Sequence, residues 1–488
     1  MIMSKEKVQI GSEGIRDART LGVPRMLLLG FQHMFAMFGA TVLVPLLTGL
    51  DIATTLLFAG LGTLLFHVIT GFKVPAFLGS SFAFLGGYAA IAPLEGNGTM
   101  TNEQLLPYAC LGIFCAGLVY LVLAALIKLV GINRVMKFFP PVVTGPIIIS
   151  IGLGLAGSAV GNCQSNWGLA LIALAIVIVF NIWGKGMAKI IPILLGVLGS
   201  CAVAAVLALI FGETITTADG AQYITLAGNE GMKLFSVSAL EGLKNAAWIG
   251  SPIKWSHTVF GGVDFSNTSL VISAIVAIVP ISLATMMEHI GDISAIGSTV
   301  GENYIAKPGL HRTLMGDGLA TSLASLFGAP ANTTYGENTG VLALSKVYDP
   351  RVIRIAAVYA ILFSFSPKFA ALVNLIPTAV IGGISFILYG MISAIGVRNV
   401  VENKVDFTKS RNLIIAAIIL VCALGLGSVT FAVGGITISL SALAVASIAG
   451  IILNAILPGK DYEFGADPQG DKAANLAVGA NTENYGNK

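Results

Sequence analysis

Two acidic residues interrupt stretches of this chain that are otherwise apolar enough to lie in lipid: Glu288 within ISLATMMEHIGD and Glu337 within GAPANTTYGENTG. An ionisable group at bilayer depth costs about 2.5 kcal/mol or more unless a partner or water compensates it, and such residues are kept for function. A third acid, Asp292, follows Glu288 by four positions, which places both on nearly one face of a helix. Two carboxylates that close in a low-dielectric site do not both ionise freely. The chemistry they offer is reversible proton carriage, with Glu288 as the carrier and Asp292 as its partner.

The element that must hold them is a membrane domain. Of 488 residues, 56% are hydrophobic and 10% charged, whereas an ordinary soluble domain carries about 25% charged residues. The net charge of +3 points to no nucleic-acid partner. Cys110, Cys115, Cys163, Cys201 and Cys422 are scattered without metal-type spacing and read as packing residues, so neither a metal nor another cofactor is expected. HExxH, nucleophile-elbow and P-loop patterns are missing from the sequence, so an enzyme or an ATP-driven pump is not expected. The charged initial segment, with Lys5, Lys7, Glu13, Arg16, Asp17 and Arg19, lacks the early apolar core of a cleavable signal peptide.

At about 20 apolar residues per crossing, spans are predicted near 26–49, 53–71, 74–94, 105–130, 139–161, 167–184, 189–211, 268–290, 311–328, 331–346, 352–374, 377–396, 412–428 and 438–457. The third and tenth are broken by Pro75, Gly79, Ser80 and Ser81 and by Pro330, Asn332, Thr333, Thr334 and Gly336. Backbone of that kind is tolerated at membrane depth only inside protein or along a cavity. Lys and Arg concentrate in alternate loops, which places both termini in the cytoplasm of a cell-membrane protein. Fourteen crossings in two sets of seven put the second half upside down relative to the first, the plan of an inverted-repeat transporter. The paired broken segments then mark a midplane site, where Ser80 to Phe84 meets Asn332 to Asn338.

QHMFAMFGATVLVPLL (Gln32–Leu47), PAFLGSSFAF (Pro75–Phe84), EHIGD (Glu288–Asp292), PGLHRTLMGDGLAT (Pro308–Thr321), NTTYGENTGV (Asn332–Val341) and VENKVDF (Val401–Phe407) closely resemble the nucleobase/ascorbate transporter family, and within it the bacterial uracil permease branch. The resemblance covers about residues 20 to 457 and leaves the loop 212–267 and the tail uninformed. It implies an all-α membrane fold of fourteen segments, with short β-strands in segments 3 and 10. A core domain would comprise 23–130 and 268–376, and a gate domain 131–211 and 377–457. Residues 1–22 and 458–488 would be cytoplasmic, and 212–267 an extracytoplasmic loop. The core would move against the gate in an elevator-type cycle of uracil and proton symport, in a homodimer.

A uracil ring alternates N–H donors and C=O acceptors, so it calls for carboxylates facing the first and amides facing the second. Glu288 and Glu337 supply the carboxylates. The resemblance assigns further contacts to the Phe82 amide, to backbone near Ala40 and Gly336, and to Tyr389 from the gate side. Xanthine and urate members typically carry Gln at the position of Glu337. Asp292 departs from close uracil permeases, which can carry His there, and matches purine members, so a xanthine or purine permease is the alternative. Ser345 stands where the family generally has Thr.

Blander roles are also open to several of these residues. His33 and His289 read as structural hydrogen bonders, and Glu337 could cap the half-helix after the break. Asn332, Thr333, Thr334 and Asn338 would first satisfy the broken backbone. A channel would distribute polar rings along a path, whereas polar residues here gather at one depth.

Overall fold

The computed structural model describes residues 14–217, 220–433 and 436–459. The first thirteen residues, and the expected tail beyond residue 459, lie outside the described residues. Up to the long loop the chain forms α1 (Val23–Thr48), α2 (Ile52–Ile69), β1 (Leu78–Ser80), α3 (Leu85–Ile91), α4 (Asn102–Val130), the short α5 (Ile132–Met136), α6 (Pro141–Cys163), α7 (Trp167–Trp183), the short α8 (Met187–Ile190) and α9 (Pro192–Phe211). The loop contains β2 (Gly212–Thr216), β3 (Gln222–Leu226), β4 (Asn229–Ser236), α10 (Val237–Asn245) and α11 (Val259–Gly262). After it come α12 (Thr268–Ile278), α13 (Ser282–Val300), α14 (Leu310–Leu326), β5 (Asn332–Thr334), α15 (Gly336–Ser345), α16 (Pro350–Ser364), α17 (Pro367–Asn374), α18 (Thr378–Glu402), α19 (Ser410–Gly425), β6 (Ser428–Val433), β7 (Ile436–Ser441) and α20 (Ala442–Ile456).

Among the described residues, seven helical units are long and apolar enough to cross a membrane: α1, α2, α4, α6, α9, the unit 268–300 and α18. An eighth arises if α16 and α17, which meet at 88°, form one span. The bend falls at Ser366–Pro367, where the Ser366 hydroxyl caps the new helix by accepting from the Phe369 N–H at 3.3 Å. The eighth predicted span extends past its expected end at 290 to Val300, with Pro280 in a tight turn dividing α12 from α13. Within the loop 212–267, β2, β3 and β4 form an antiparallel sheet. The sheet is tied to the start of α7 by the Lys233 N–H donating to Ser165 O (3.1 Å).

Two packing groups emerge. In one, α4 packs on α14, α2 on α16 and on α14, and α1 on α16. In the other, α6 packs on α18, α7 on α9 and α18, and α19 on α6 and α20. Close helix approach depends on glycine: a Cβ on Gly318 would lie 2.7 Å from the Gly117 carbonyl oxygen. Gly318→Val therefore separates α14 from α4 and is expected to cost about 1–3 kcal/mol through overpacking, read as a lower melting temperature in detergent.

At one end of the molecule the residues before α1 are strapped to the second half. Ile15 pairs with Val347, Arg16 forms an ion pair with Glu302, and the Ala18 N–H donates to Asp349 Oδ2 at 2.8 Å. Arg351 Nη1 reaches Asp17 Oδ1 at 2.9 Å. The Arg19 side chain, hydrogen-bonded to Asp17, holds the Asp17 carboxyl down at about 2, and Arg351 adds to the effect. A depressed folded-state value means the contact is retained above the ordinary Asp range and lost as pH falls toward 2. Hydrogen exchange at residues 15–19 should thus be unchanged from pH 7 to 5 and accelerate, relative to the intrinsic rate, below pH 3.

Candidate functional site

The site begins with the two broken segments. β1 and β5 pair antiparallel, Leu78 opposite Thr334, Gly79 opposite Thr333 and Ser80 opposite Asn332. Such short strands need every backbone group satisfied within the protein. Thr63 on α2 accepts from the Leu78 N–H at 2.9 Å, the Ser81 N–H donates to Ala331 O at 2.8 Å, and the Tyr335 N–H donates to Phe77 O at 3.0 Å. Asn332 Nδ2 donates to Phe58 O (3.0 Å), while Thr321 donates to Asn332 O (2.8 Å). Tyr335 clasps the opposite strand through its hydroxyl, which donates to Ser80 O at 2.8 Å. Gly79 makes this possible, because a Cβ there would stand 2.6 Å from the Tyr335 ring and from Thr41 Oγ1.

Each strand runs into a short helix, α3 after β1 and α15 after β5. Phe82 lies half-buried between β1 and α3, and its ring meets Tyr389 of α18 edge-to-face with centroids 6.3 Å apart. Ala40 is buried on α1 beside Thr41, whose carbonyl accepts from the Ser80 hydroxyl at 3.0 Å. Gly336 is the exposed first residue of α15, and Glu337 occupies its first turn, where the helix N-terminus favours a negative charge.

Glu288 and Asp292 project from α13, which packs against both β5 and α15. Glu288, Asp292 and Glu337 are half-buried, and Asp317 of α14 is fully buried. Asp292 Oδ2 accepts a hydrogen bond from Thr334 Oγ1 at 2.8 Å, which links the α13 acid directly to the strand crossing. Among the described residues, no hydrogen bond or ion pair engages the Glu288 carboxylate.

Asp317 and Tyr335 are residues of this region whose local roles were not expected from the sequence. Asp317 had a visible signal: it too is an acid in an apolar run, GDGLAT. Its Oδ2 lies 2.9 Å from His289 Nδ1, with both residues fully buried. His33 is held similarly, with Asn338 Nδ2 donating to its carbonyl at 3.0 Å. Thr334 thus bonds the Asp292 side chain of α13, Asn338 bonds His33 of α1 and Asn332 bonds the Phe58 carbonyl of α2, so these side chains serve neighbouring helices instead of the broken backbone. Ser81 Oγ, Thr333 Oγ1, Asn338 Oδ1 and Thr339 Oγ1 are buried polar atoms without partners among the described residues, an arrangement that calls for a polar ligand or water.

Two separate cavities flank this cluster along α1. One, of about 300 Å³, is lined by Thr48, Tyr88 and Tyr389, and the other, of about 460 Å³, by Arg25, Gln32, Val341 and Ser345. Gln32 and Thr48 are separated by about 24 Å of helix rise, and Ala40 lies midway. Neither lining includes Glu288, Asp292 or Glu337.

The chain matches the family described as Permease family (Xan_ur_permease) over residues 24–432. It is 39% identical to the uracil permease of Bacillus caldolyticus over 455 residues, 91% of this chain and 94% of the relative. It is 39% identical to the uracil permease of Bacillus subtilis (strain 168) over 469 residues, 93% of this chain and 97% of that one. Among solved structures, the transmembrane domain of the cyanobacterial bicarbonate transporter BicA superposes with a TM-score of 0.56 at 16% identity, covering 91% of this chain and all of that one. That likeness is one of fold.

Proposed function

The chain belongs to the Permease family, and from that premise we propose that it is a secondary transporter importing uracil, or a closely related nucleobase, together with a proton. The observation that carries the reading is the β1–β5 crossing, which assembles Phe82, Glu337 and, through Thr334 and Asp292, the acid-bearing face of α13 beside Tyr389. Glu288 and Glu337 accept from the ring N–H groups, and the Phe82 amide with the backbone near Ala40 and Gly336 serves its carbonyls. Phe82 and Tyr389 close on the ring from two sides. A site built on such hydrogen bonds rejects analogues that leave its polar groups unpaired.

The cycle we assign is an elevator. The core, 23–130 with 268–376, carries Glu288, Asp292, Glu337 and Phe82 past the gate, 131–211 with 377–457, which carries Tyr389. The two packing groups support that division. The fourteen-segment inverted repeat is supported by paired contacts: α4 on α14 mirrors α16 on α2, α7 on α9 mirrors α19 on α20, and α18 on α7 mirrors α6 on α19. An in-plane two-fold axis makes equivalent strands antiparallel, as β1 and β5 are. In this reading the loop 212–267 is extracytoplasmic, both termini are cytoplasmic and the chain sits in the cell membrane as a homodimer.

One residue favours a second reading. Asp292, where uracil-type relatives can carry His, points to a xanthine or purine substrate. A competition panel of unlabelled pyrimidines and purines against labelled uracil in proteoliposomes decides between them. Uracil should compete best in wild type, and Asp292→His should keep that order; xanthine outcompeting uracil overturns the pyrimidine assignment.

A further inference from the structure

A cavity of about 540 Å³ opens on the flank of the molecule, its wall including Leu283 and Met286 of α13 but none of the acids. Its walls come from Val122, Leu126 and Val130 of α4, Phe138 after α5, Leu283 of α13 and Ile451 of α20. Four of these, Val122, Leu126, Val130 and Phe138, are exposed. The volume falls in the range of ligand pockets, about 300–1,000 Å³, yet the walls offer almost no hydrogen-bonding group to a nucleobase. Arg134 is the single charged lining residue. It stands at the end of α4 where α5 turns the chain toward α6, with exposed Lys128 and Lys137 on either side in sequence. The stretch 119–140 contains no acidic residue. Among the described residues, neither Arg134 nor Lys137 has an ion-pair partner.

The geometry points to a bound anionic phospholipid, its acyl chain in the crevice between α4, α13 and α20 and its phosphate on Arg134, with Lys137 adding charge. Three features of the place select that occupant. An apolar crevice open on a lipid-facing flank is filled by hydrocarbon. A guanidinium forms paired hydrogen bonds with phosphate oxygens. Basic residues just outside a span attract anionic headgroups. The crevice also joins α4 to α20, which belong to different packing groups, and Asn454 of α20 donates to the Lys137 carbonyl at 3.2 Å. A lipid seated there bridges the two groups, so its occupancy bears on how they slide.

The test is native mass spectrometry of the full-length protein with added phosphatidylglycerol or phosphatidylcholine of identical acyl chains. Wild type should retain phosphatidylglycerol preferentially. Arg134→Gln and Lys137→Gln should each reduce that preference roughly five-fold, the equivalent of about 1 kcal/mol per basic residue near an anionic surface. Leu126→Trp, which fills the crevice, should reduce retention of both lipids, and Arg134→Lys should keep most of the preference. Melting temperatures of all variants separate lipid loss from unfolding, and Arg134→Lys keeps the comparison interpretable if a neutral variant unfolds. Equal retention of the two lipids by wild type, or unchanged preference in the folded Arg134→Gln/Lys137→Gln protein, overturns the proposal.

Discussion

Glu337→Gln is expected to lower the affinity for uracil, the substrate proposed above, by roughly 10² to 10³-fold. A carboxylate only accepts hydrogen bonds, whereas an amide presents N–H donors on one side. Set against a ring N–H, the amide must either turn its single oxygen inward and leave its donors unpaired or oppose donor to donor. A hydrogen bond to a charged group is worth about 1.5–3 kcal/mol, and leaving its buried partner unsatisfied adds about 1–3 kcal/mol. The two together account for the predicted loss. Equilibrium binding of labelled uracil to purified protein is the measurement, and the melting temperature of the unliganded variant should stay close to wild type because the helix-cap contribution of Glu337 is small, about 0.3–1 kcal/mol. Unchanged uracil affinity in Glu337→Gln would remove Glu337 from the site and reduce it to a capping residue.

Glu288→Gln is expected to uncouple the proposed transport from the proton gradient. In wild-type proteoliposomes, a gradient one pH unit more acidic outside should drive about tenfold accumulation per proton carried, since tenfold corresponds to about 1.4 kcal/mol. In the variant the accumulation ratio should fall to about one, while exchange of labelled for unlabelled uracil continues at reduced affinity. The half-buried Glu288 carboxylate is the acid suited to this role because no described group fixes it, whereas Asp292 is engaged by Thr334 and Asp317 by His289. If Glu288→Gln still accumulates uracil against the gradient and Asp292→Asn does not, the carrier is Asp292.

The two broken segments were legible because membranes punish irregularity. Pro75 and Pro330 with their flanking small polar residues announced broken segments, and these are the two that pair. The acids at 288 and 337 stood out for the same reason. The facing rings of Phe82 and Tyr389, about 300 residues apart, came from the resemblance and not from any local pattern. What stayed hidden was the partner of each polar group. Nothing in the spacing ties Thr334 to Asp292 or Tyr335 to Ser80, since these bonds depend on how α13 and β1 pack, a long-range outcome. The sheet of β2 to β4 was missed because its short strands bury little, so alternation such as Thr214, Ile215, Thr216 carried a weak signal. The 88° turn at Ser366–Pro367 was hidden because the residues on both sides are equally apolar.

The pairing of β1 with β5 also constrains how the chain is made. Gly79 meets Thr333, so β1 waits for a partner roughly 250 residues downstream, or about 12 to 50 seconds of synthesis at 5–20 residues per second. During that interval its amide and carbonyl groups have no strand to bond with in a setting where each orphan costs several kcal/mol. The nascent first half therefore has to shelter that stretch near water or the insertion machinery, and a chain truncated before residue 332 should be a substrate for membrane quality control, not a half-sized carrier.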